Sequence, residues 1–391
     1  MKETKLLFAG DYCIRWRGID HMYAEKIEEL AAPVRAVTEK HDISIVNVET
    51  VFTDNPTPPP KSGPSLNSPI SALDLLGRYG FTIGAFANNH TMDQGAEQGL
   101  ASYNAVLNLG MQGVGFGKNL EEANKPCRLV KNEKRISIFN FAEHEFVAAT
   151  EDSTGFAPID FIENAKLIRK ERENADFVFV FLHAGSEQCP FPREGLKKYC
   201  RALVDEGADG VIVSHPHCPG GIEYYNTKPI VYSLGNFFMS KRNDVLSLWN
   251  IGYMASLTID ENEKILVEVI PYEFGNDGSY FRLLDGDEKE KFLTYINTLS
   301  GVFADENKAE YDKLRNAWSV LFMREAKRDY LDLFMTEEKY YLDLQLFIRN
   351  AFSCETHAEV MKIYYTLFTE GKLDDYEDYI AKIKALQERP F

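Results

Sequence analysis

The first 275 residues or so alternate short apolar runs with longer amphipathic stretches. Apolar runs of this length predict buried β-strands, and apolar residues at helical spacing between them predict helices. The strand candidates are KLLFAGD, ISIVNVE, TIGAFANN, ISIFNFA, FVFVFLHA, GVIVSH and PIVYSLGN. The helix candidates are residues 22–40, 69–79, 95–109, 160–173 and 193–206. Strands and helices in this order predict βα units that pack in layers.

Two further patterns complete this part of the chain. YMASLTID and ILVEVIPYEF alternate apolar and polar positions on either side of the polar ENEK, which predicts an antiparallel hairpin. The proline-rich residues 54–69 can form neither a helix nor an interior strand, so we expect a surface loop there.

The composition changes at about residue 286, where Gly and Pro become rare and Tyr and Phe frequent. Segments such as EKEKFLTYINTLS and KYYLDLQLFIRNAF carry apolar residues at helical spacing. We therefore predict one domain for residues 1–285 and a helical subdomain for residues 286–391. The aromatic residues fit a bundle that packs on itself and on the first domain. An aromatic face that receives a ligand or a partner is the alternative.

Bulk composition narrows the class of protein. The chain has 391 residues, more than a single core usually holds, and its 45% hydrophobic and 26% charged residues are typical of a globular protein. A net charge of −17 argues against nucleic acid as a partner. An anionic substrate stays open, because a bound metal can outweigh a distant field. We find no apolar segment of membrane-span or signal-peptide length, and expect a cytoplasmic protein with reduced cysteines.

Polar residues gather at the ends of the predicted strands. They are Asp11, Asn47 and Glu49, then Asn88, Asn89, His90 and Asp93, then His183, and finally His215 and His217. Open α/β sheets bind ligands at the carboxyl ends of their strands, so we expect these side chains to lie along one edge.

The spacing of the last two histidines adds to this pattern. In an extended segment, His215 and His217 would share one face, although two such histidines could equally be structural hydrogen-bonding residues. With the carboxylates and amides, they suit Mn²⁺, Zn²⁺ or Fe²⁺, and a carboxylate can bridge two ions ~3.5–4 Å apart. The sequence therefore predicts a site for divalent metal, with two ions.

Several stretches resemble the poly-γ-glutamate capsule synthesis protein CapA family, which is similar to the calcineurin-like metallophosphoesterases. They are AGD, NVET, KSGPSLNSP, FANNHTMDQG, GVGFGKNLEEANKP, FLHAGSE, SHPHCPGGIEYY and YSLGNF, in the family's order over about residues 5–240. The resemblance implies a four-layer α/β/β/α sandwich for residues 1–285. It does not cover the C-terminal helices.

The resemblance also implies a role for each matched residue. The implied ligands are Asp11 and His217 for the first ion, Asn89, His183 and His215 for the second, and Glu49 as the bridge between them. His90 would be the acid that protonates or steadies the leaving group without binding metal tightly. Candidates for the surroundings or the substrate are Cys13, Lys61, Asn88, Asp93, Glu187 and Asn236.

Two departures from the superfamily's pattern concern the metals. The usual Asp-x-His is Asp11-Tyr12-Cys13 here, so Cys13 is either a thiolate ligand or, as we favour, a small buried residue that leaves the first ion short of a ligand. The usual Gly-Asp-x-x-Asp around the bridge is absent, which puts full occupancy of both positions in question.

The other candidates have structural alternatives. Asp93 and Glu187 would orient ligand imidazoles or make cap and turn contacts. Lys61 would contact an anionic substrate or be a solvated loop residue. Asn236 would face the site or serve a turn.

Two functions follow from this pattern and the resemblance. The first is a metal-dependent hydrolase of the phosphoesterase type, linked to capsule, poly-γ-glutamate or exopolymer biosynthesis. Its substrate would be an anionic polymer or a phosphorylated small molecule, and its partners other capsule-biosynthesis proteins. The second is a non-catalytic capsule-assembly or polymer-binding subunit that keeps the fold.

Overall fold

A computed structural model describes residues 2–15, 19–240, 245–334 and 341–391. Its strands are β1 (Thr4–Cys13), β2 (Ile43–Val48), β3 (Ile83–Ala85), β4 (Gln112–Val114), β5 (Phe116–Gly117), β6 (Cys127–Lys131), β7 (Lys134–Ala142), β8 (Gly155–Phe156), β9 (Phe177–His183), β10 (Gly210–Ser214), β11 (Ile222–Tyr225), β12 (Lys228–Val231), β13 (Asn236–Met239), β14 (Ile251–Ile259), β15 (Ile265–Phe274) and β16 (Phe281–Leu283). Its α-helices are α1 (Ile19–Thr38), α2 (Ala72–Arg78), α3 (Gly95–Leu107), α4 (Leu120–Ala123), α5 (Phe161–Arg172), α6 (Glu194–Asp205), α7 (Gly286–Val302), α8 (Lys308–Phe334), α9 (Tyr341–Ser353), α10 (Glu355–Thr369) and α11 (Glu377–Leu386).

Most strands belong to two sheets. The first has the order β16-β15-β14-β1-β2-β3-β4, and β13 pairs with β1 beside this row. The second has the order β11-β12-β10-β9-β7-β6. Neighbouring strands from β1 to β4 are parallel, as are β7, β9 and β10 in the second sheet. The predicted hairpin is present as the antiparallel pair β14–β15.

The two sheets pack face to face between helical layers. In β9, Phe179 and Phe181 join the core between the sheets, together with Phe8 of the first sheet. The alternate residues Val178 and Val180 join a second core under α5 and α6. A third core lies between the first sheet and the helices α1 to α3. The predicted four-layer α/β/β/α sandwich is thus confirmed, and a strand covered on both faces explains the unbroken apolar run of FVFVFLH.

The C-terminal helices pack mainly on the outer helical layer. Trp318 of α8 and Tyr364 of α10 share a core with Leu196 of α6. Helix α7 differs, because its Phe292 lies in the core between the sheets. The domain boundary at residue 285 therefore stays a prediction. None of the described helices is long and apolar enough to span a membrane.

The prediction of a single strand for PIVYSLGN is wrong. Its first part forms β12 of the second sheet, whereas its last residue begins β13, which pairs with β1 of the first sheet. Gly235 has φ of 73° between them, a conformation that favours glycine, and this turn lets the chain cross from one sheet to the other.

Candidate metal centre

The six side chains implied as metal ligands meet where parallel strands of both sheets end. Each is at most 5% exposed. Asp11 lies in β1 and His183 ends β9, while Glu49 and Asn89 follow β2 and β3, and His215 and His217 follow β10. The strand ends therefore bring together side chains that are up to about 200 residues apart in the sequence.

The local backbone at Asp11 depends on a glycine. A Cβ atom on Gly10 would lie only 1.8 Å from the carbonyl oxygen of Gly235. Without a side chain at Gly10, β13 can approach β1 and pair Asp11 with Asn236. The register shifts directly after Asp11. This bulge is typical of strands that aim a side chain at a functional site.

The two histidines of His-x-His are not in an extended segment, so that expectation is wrong. His215 has φ of 101° and His217 has φ of 54°, because the chain leaves β10 at Ser214 and turns sharply through Pro216. Their rings still converge, with centroids 5.9 Å apart. Such conformations cost about 1–3 kcal/mol for a residue with a side chain and concentrate at functional sites.

One group of atoms has the spacing of ligands around a single ion. His183 Nε2 lies 2.9 Å from Asn89 Oδ1 and 3.0 Å from His215 Nδ1. The same nitrogen lies 3.6 Å from Glu49 Oε1. Ligand atoms about 2.1 Å from a tetrahedral ion are about 3.4 Å apart. His183 Nε2 therefore lies at about ligand spacing from the three other side chains implied for the second ion and the bridge.

The two ligands implied for the first ion also lie close to Glu49 or to each other. His217 Nε2 is 3.7 Å from Glu49 Oε1, and Asp11 Oδ2 is 3.3 Å from His217 Nδ1. Ligand atoms of Asp11, Glu49 and His183 also fall within 4.8 Å of one another, as do those of Glu49, His215 and His217. Glu49 belongs to both groups, and each group combines a ligand implied for the first ion with one implied for the second.

Glu49 provides the test of whether a metal fits. Both of its carboxylate oxygens are buried, and neither has a hydrogen-bond partner among the described residues. Burial, and then the charge of Asp11, raise the pKa of Glu49 well above its usual range. An unpaired buried carboxylate is costly, and a divalent cation would supply the missing partner. The donor set therefore fits a metal.

The histidines are suited to ligation. Burial, followed by the neighbouring His215 and His217, lowers the pKa of His183 well below its usual range, so its imidazole is neutral. His217 Nδ1 lies 2.8 Å from Asn236 Oδ1. A hydrogen bond donated there leaves Nε2 free for a metal, as metal-bound histidines usually require. Asn236 therefore faces the site.

His90 lies beside the ligands. Its Nε2 is 3.8 Å from Glu49 Oε1, and its Nδ1 is 2.6 Å from Asp93 Oδ2. Asp93 also accepts a hydrogen bond from the amide of Leu66 and forms an ion pair with Lys61. Burial lowers the pKa of His90, although Asp93 acts in the opposite direction. Asp93 thus orients His90 so that Nε2 points toward the centre.

Lys61 is not a solvated loop lysine, since its side chain is only 7% exposed. Its Nζ lies 3.5 Å from His90 Nδ1 and 3.9 Å from the centre of the Phe146 ring. Burial lowers the pKa of Lys61, and Asp93 opposes this effect. The proline-rich loop therefore delivers one cation to the side of the centre where His90 lies.

Three candidates occupy other positions. Burial raises the pKa of the Cys13 thiol to about 11, and its side chain packs with Leu66 and Met239. Cys13 thus fits a small buried residue rather than a thiolate. Asn88 braces the loop, with Nδ2 donating to the carbonyl of Val48. Glu187 is exposed, and its charge raises the pKa of Glu49 and of His217 as a minor contribution.

Two contributing residues are absent from the ligand set that the resemblance implies. Asn47 donates through Nδ2 to Asp11 Oδ1 at 2.8 Å. Glu145 Oε2 accepts a hydrogen bond from Asn89 Nδ2 at 2.9 Å and lies 3.7 Å from His215 Nε2. Glu145 follows the end of β7, so its position after a predicted strand could have indicated that it belongs to the site.

Comparison with known proteins places the chain in a family. The profile described as "Bacterial capsule synthesis protein PGA_cap" matches residues 5–241, more than half of the sequence. The chain belongs to this family. The C-terminal helices α7 to α11 lie outside the matched segment.

Individual relatives match a smaller share of this chain than the family profile does. "PGA biosynthesis protein CapA" of Bacillus subtilis (strain 168) is 32% identical over 169 residues, which cover 42% of this chain and 44% of the relative. "Capsule biosynthesis protein CapA" of Bacillus anthracis is 32% identical over 179 residues, covering 44% and 43%. The matches thus span under half the length of either relative. The solved structure of NAD nucleotidase (NadN) from Haemophilus influenzae gives a TM-score of 0.44 at 11% identity, over 84% of this chain and 68% of that one.

Proposed function

We propose that the protein is a metal-dependent hydrolase that cleaves a phosphoester bond. The observation that carries this proposal is Glu49, whose two buried oxygens have no hydrogen-bond partner among the described residues although five ligand-type side chains surround it. A purely structural carboxylate in this position would be expected to be paired or hydrogen-bonded. A site that leaves a charge unbalanced supports the binding of cations.

The chain's own side chains would hold the ions. Asn89, His183 and His215 would bind one ion, with Glu49 shared between the two positions. Asp11 and His217 would bind the other, and Cys13 leaves that position poorer in ligands. Divalent ions such as Mn²⁺, Zn²⁺ or Fe²⁺ would supply Lewis acidity for a phosphoryl group and an activated water as nucleophile.

His90 would handle the proton of the leaving group. Asp93 holds Nδ1 at 2.6 Å, which directs Nε2 toward the space next to Glu49. A protonated His90 would donate from Nε2 to the departing oxygen, and Asp93 would stabilise the imidazolium. Lys61, 3.5 Å from His90, would add positive charge on the side where an anionic substrate enters.

The natural substrate would be an anionic polymer or a phosphorylated small molecule in capsule or exopolymer biosynthesis. Family membership supports this context, and the two Bacillus relatives carry the names of capsule and PGA biosynthesis proteins. Other proteins of capsule biosynthesis would be its partners. The cytoplasmic location stays a prediction.

A second function is a capsule-assembly or polymer-binding subunit without turnover. The observation that favours it is Cys13, which stands where a histidine ligand is usual and carries a protonated thiol. A first ion held by few ligands would weaken catalysis while leaving a binding surface intact.

Metal content and turnover separate these functions. We expect protein purified without chelator to contain one or two equivalents of divalent metal and to hydrolyse bis-p-nitrophenyl phosphate or p-nitrophenyl phosphate. Chelator treatment should abolish turnover, and returning Mn²⁺, Zn²⁺ or Fe²⁺ should restore it. Metal-loaded protein that turns over neither ester would favour the subunit. Protein that binds no metal would contradict both roles for the centre.

A further inference from the structure

The loop after β7 turns a carboxylate back toward the metal centre. The amide of Glu145 donates to the carbonyl of Glu143 at 2.6 Å, and Phe146 follows with φ of 73°. This tight turn directs the Glu145 side chain inward, where it is 11% exposed. A backbone held in this rare conformation needs support from its surroundings.

Glu145 decides which way the amide of Asn89 points. Its Oε2 accepts from Asn89 Nδ2 at 2.9 Å, so Asn89 Oδ1 faces His183 Nε2, also at 2.9 Å. Only the oxygen of an amide can bind a cation, and a rotated side chain would present nitrogen instead. The same Oε2 lies 3.7 Å from His215 Nε2, while His215 Nδ1 faces His183. A carboxylate near the second nitrogen of a ligand imidazole is a common support for metal sites.

The C-terminal helices hold Glu145 in place. Asn350 of α9 is 8% exposed and donates from Nδ2 to Glu145 Oε1 at 3.3 Å. Its Nδ2 is also 3.4 Å from His357 Nδ1 of α10. From outside the matched family segment, Asn350 therefore contacts Glu145 directly, and His357 contacts Asn350.

The two residues before Glu145 are held by α10 as well. His144 Nδ1 lies 2.7 Å from Glu355. Glu143 forms an ion pair with Arg193, and Arg193 in turn binds Glu359 at 2.9 Å. Three consecutive loop residues are thus connected, directly or through one side chain, to the C-terminal helices.

We propose that Glu145 is a positioning residue of the metal centre and that α9 supports it through Asn350. The C-terminal helices then belong to the site, because they fix the residue that orients two ligands of one ion. This inference rests on the proposed function only in requiring that Asn89 and His215 bind metal.

The test is the affinity of the metal-free protein for Zn²⁺ and Mn²⁺, measured by competition with a chromophoric chelator. Glu145→Leu should weaken binding by about 10–100-fold, the usual cost of losing a support of a metal ligand. Glu145→Gln keeps an oxygen for Asn89 and should lose less than about 10-fold. Asn350→Leu should lower the affinity in the same direction by a smaller factor.

Glu355→Gln is the matched control. It alters the adjacent contact between the same loop and α10, but does not touch Asn89, His215 or Glu145. Its metal affinity should equal that of the wild type. An equal loss in Glu355→Gln and Glu145→Leu would overturn the inference, since the effect would then come from loop anchoring in general. An affinity of Glu145→Leu within about 2-fold of the wild type would overturn it too.

Two further measurements distinguish a folding defect from a loss of metal affinity, and a failure of this inference from a failure of the proposed function. Circular dichroism of each metal-free variant shows whether it folds, and if Glu145→Leu does not, the comparison of Glu145→Gln and Asn350→Leu with Glu355→Gln decides. Wild-type protein without metal affinity would contradict the proposed function. Wild type that binds metal alongside an unaffected Glu145→Leu would overturn this inference alone.

Discussion

Two clusters of buried charge in this molecule have opposite characters. In the metal centre, Glu49 is fully buried, and neither of its oxygens has a hydrogen-bond partner among the described residues. In the cluster that we call the Arg193 junction, Glu143 is 3% exposed and is paired with Arg193. Arg193 also binds Glu359 and the hydroxyl of Thr356, at 2.9 and 2.7 Å.

The difference shows what each cluster is for. At the Arg193 junction the protein supplies both signs of charge, so the cluster joins α6, α10 and the loop after β7 without any ligand. At the candidate metal centre, no lysine or arginine among the described residues pairs with Glu49, which faces amides and imidazoles instead, so a bound cation would supply the balancing charge. Buried charges are retained when paired or when they bind metal. The Arg193 junction is an example of the first case, and we propose the metal centre as an example of the second.

The largest effect is expected within the metal centre and separates chemistry from ion binding. His90→Asn should leave the fold and metal content nearly intact, because His90 lies 3.8 Å from Glu49 and is held by Asp93 instead. The rate on a phosphoester with a poor leaving group should fall ~10²–10⁴-fold, the usual contribution of a positioned general acid. A good leaving group, which departs without a proton, should lose much less.

His217→Asn is the comparison for that variant. It removes an imidazole whose Nε2 points to Glu49, so it should deplete metal. Metal content and rates on both esters are measured for the two variants. Metal depletion in both, with equal losses on both esters, would assign His90 to the ligands.

The Arg193 junction should fail differently. Arg193→Met leaves Glu143 buried without its cation, and breaking a buried ion pair in this way costs about 3–5 kcal/mol of unfolding free energy. Urea unfolding of metal-free protein measures the loss. Arg135→Met is the control, because Arg135 pairs with Asp176 at the surface and should cost under about 1 kcal/mol. Equal losses in the two variants would remove the distinction drawn between the clusters.

Glu49→Gln is the corresponding test for the metal centre. The substitution keeps the size of the side chain but removes the charge that would offset two ions, so metal affinity should drop ~10-fold or more. Stability of the metal-free protein should stay unchanged or rise, since an unpaired buried carboxylate is replaced by a neutral amide. Metal titration and urea unfolding are the measurements. Unchanged metal affinity would exclude Glu49 as a ligand, and a large loss of stability would indicate a hidden partner.

Much of this arrangement could be predicted from the sequence because it follows from strand geometry. Parallel strands end at a common edge, so polar residues that close apolar runs predict a site that contains Asp11, Glu49, Asn89 and His183. The alternation of β9 side chains between two cores also follows from the geometry of a single strand. When a strand or helix keeps the same surroundings along its whole length, the periodicity of its apolar residues predicts the element and the faces that it buries.

The other features of the fold and the site depend on tertiary contacts that cannot be predicted from the periodicity of the sequence. The positive φ of His215 and His217 is set by the turn after β10, and the crossing at Gly235 by packing between sheets. The pair Glu145 and Asn350 is separated by 205 positions and joins regions with no shared pattern. Such long-range polar contacts are decided by tertiary structure alone.

The smallest effect concerns His144 and Glu355 beside the Arg193 junction. The hydrogen bond to Glu355 raises the pKa of His144, although burial opposes it, and the pKa of Glu355 is lowered by the same contact against the effect of burial. A raised histidine pKa stabilises the fold below the histidine's unfolded pKa of about 6.5, and this stability disappears as the pH rises through the folded pKa. The contribution of Glu355 is lost instead as the pH falls below its ordinary range.

Wild type should therefore exceed Glu355→Gln in stability at pH 5.5 and lose that advantage by pH 8.5. Because the two side chains are 41% and 32% exposed, solvent screening keeps the difference under about 1 kcal/mol. Urea unfolding of metal-free protein at both pH values measures it, and the contributions of the metal-centre histidines cancel between the two proteins. Glu163→Gln, which breaks a surface pair with Lys166, should show no such pH dependence. A difference that grows toward pH 8.5 would mean that His144 is not charged in this contact.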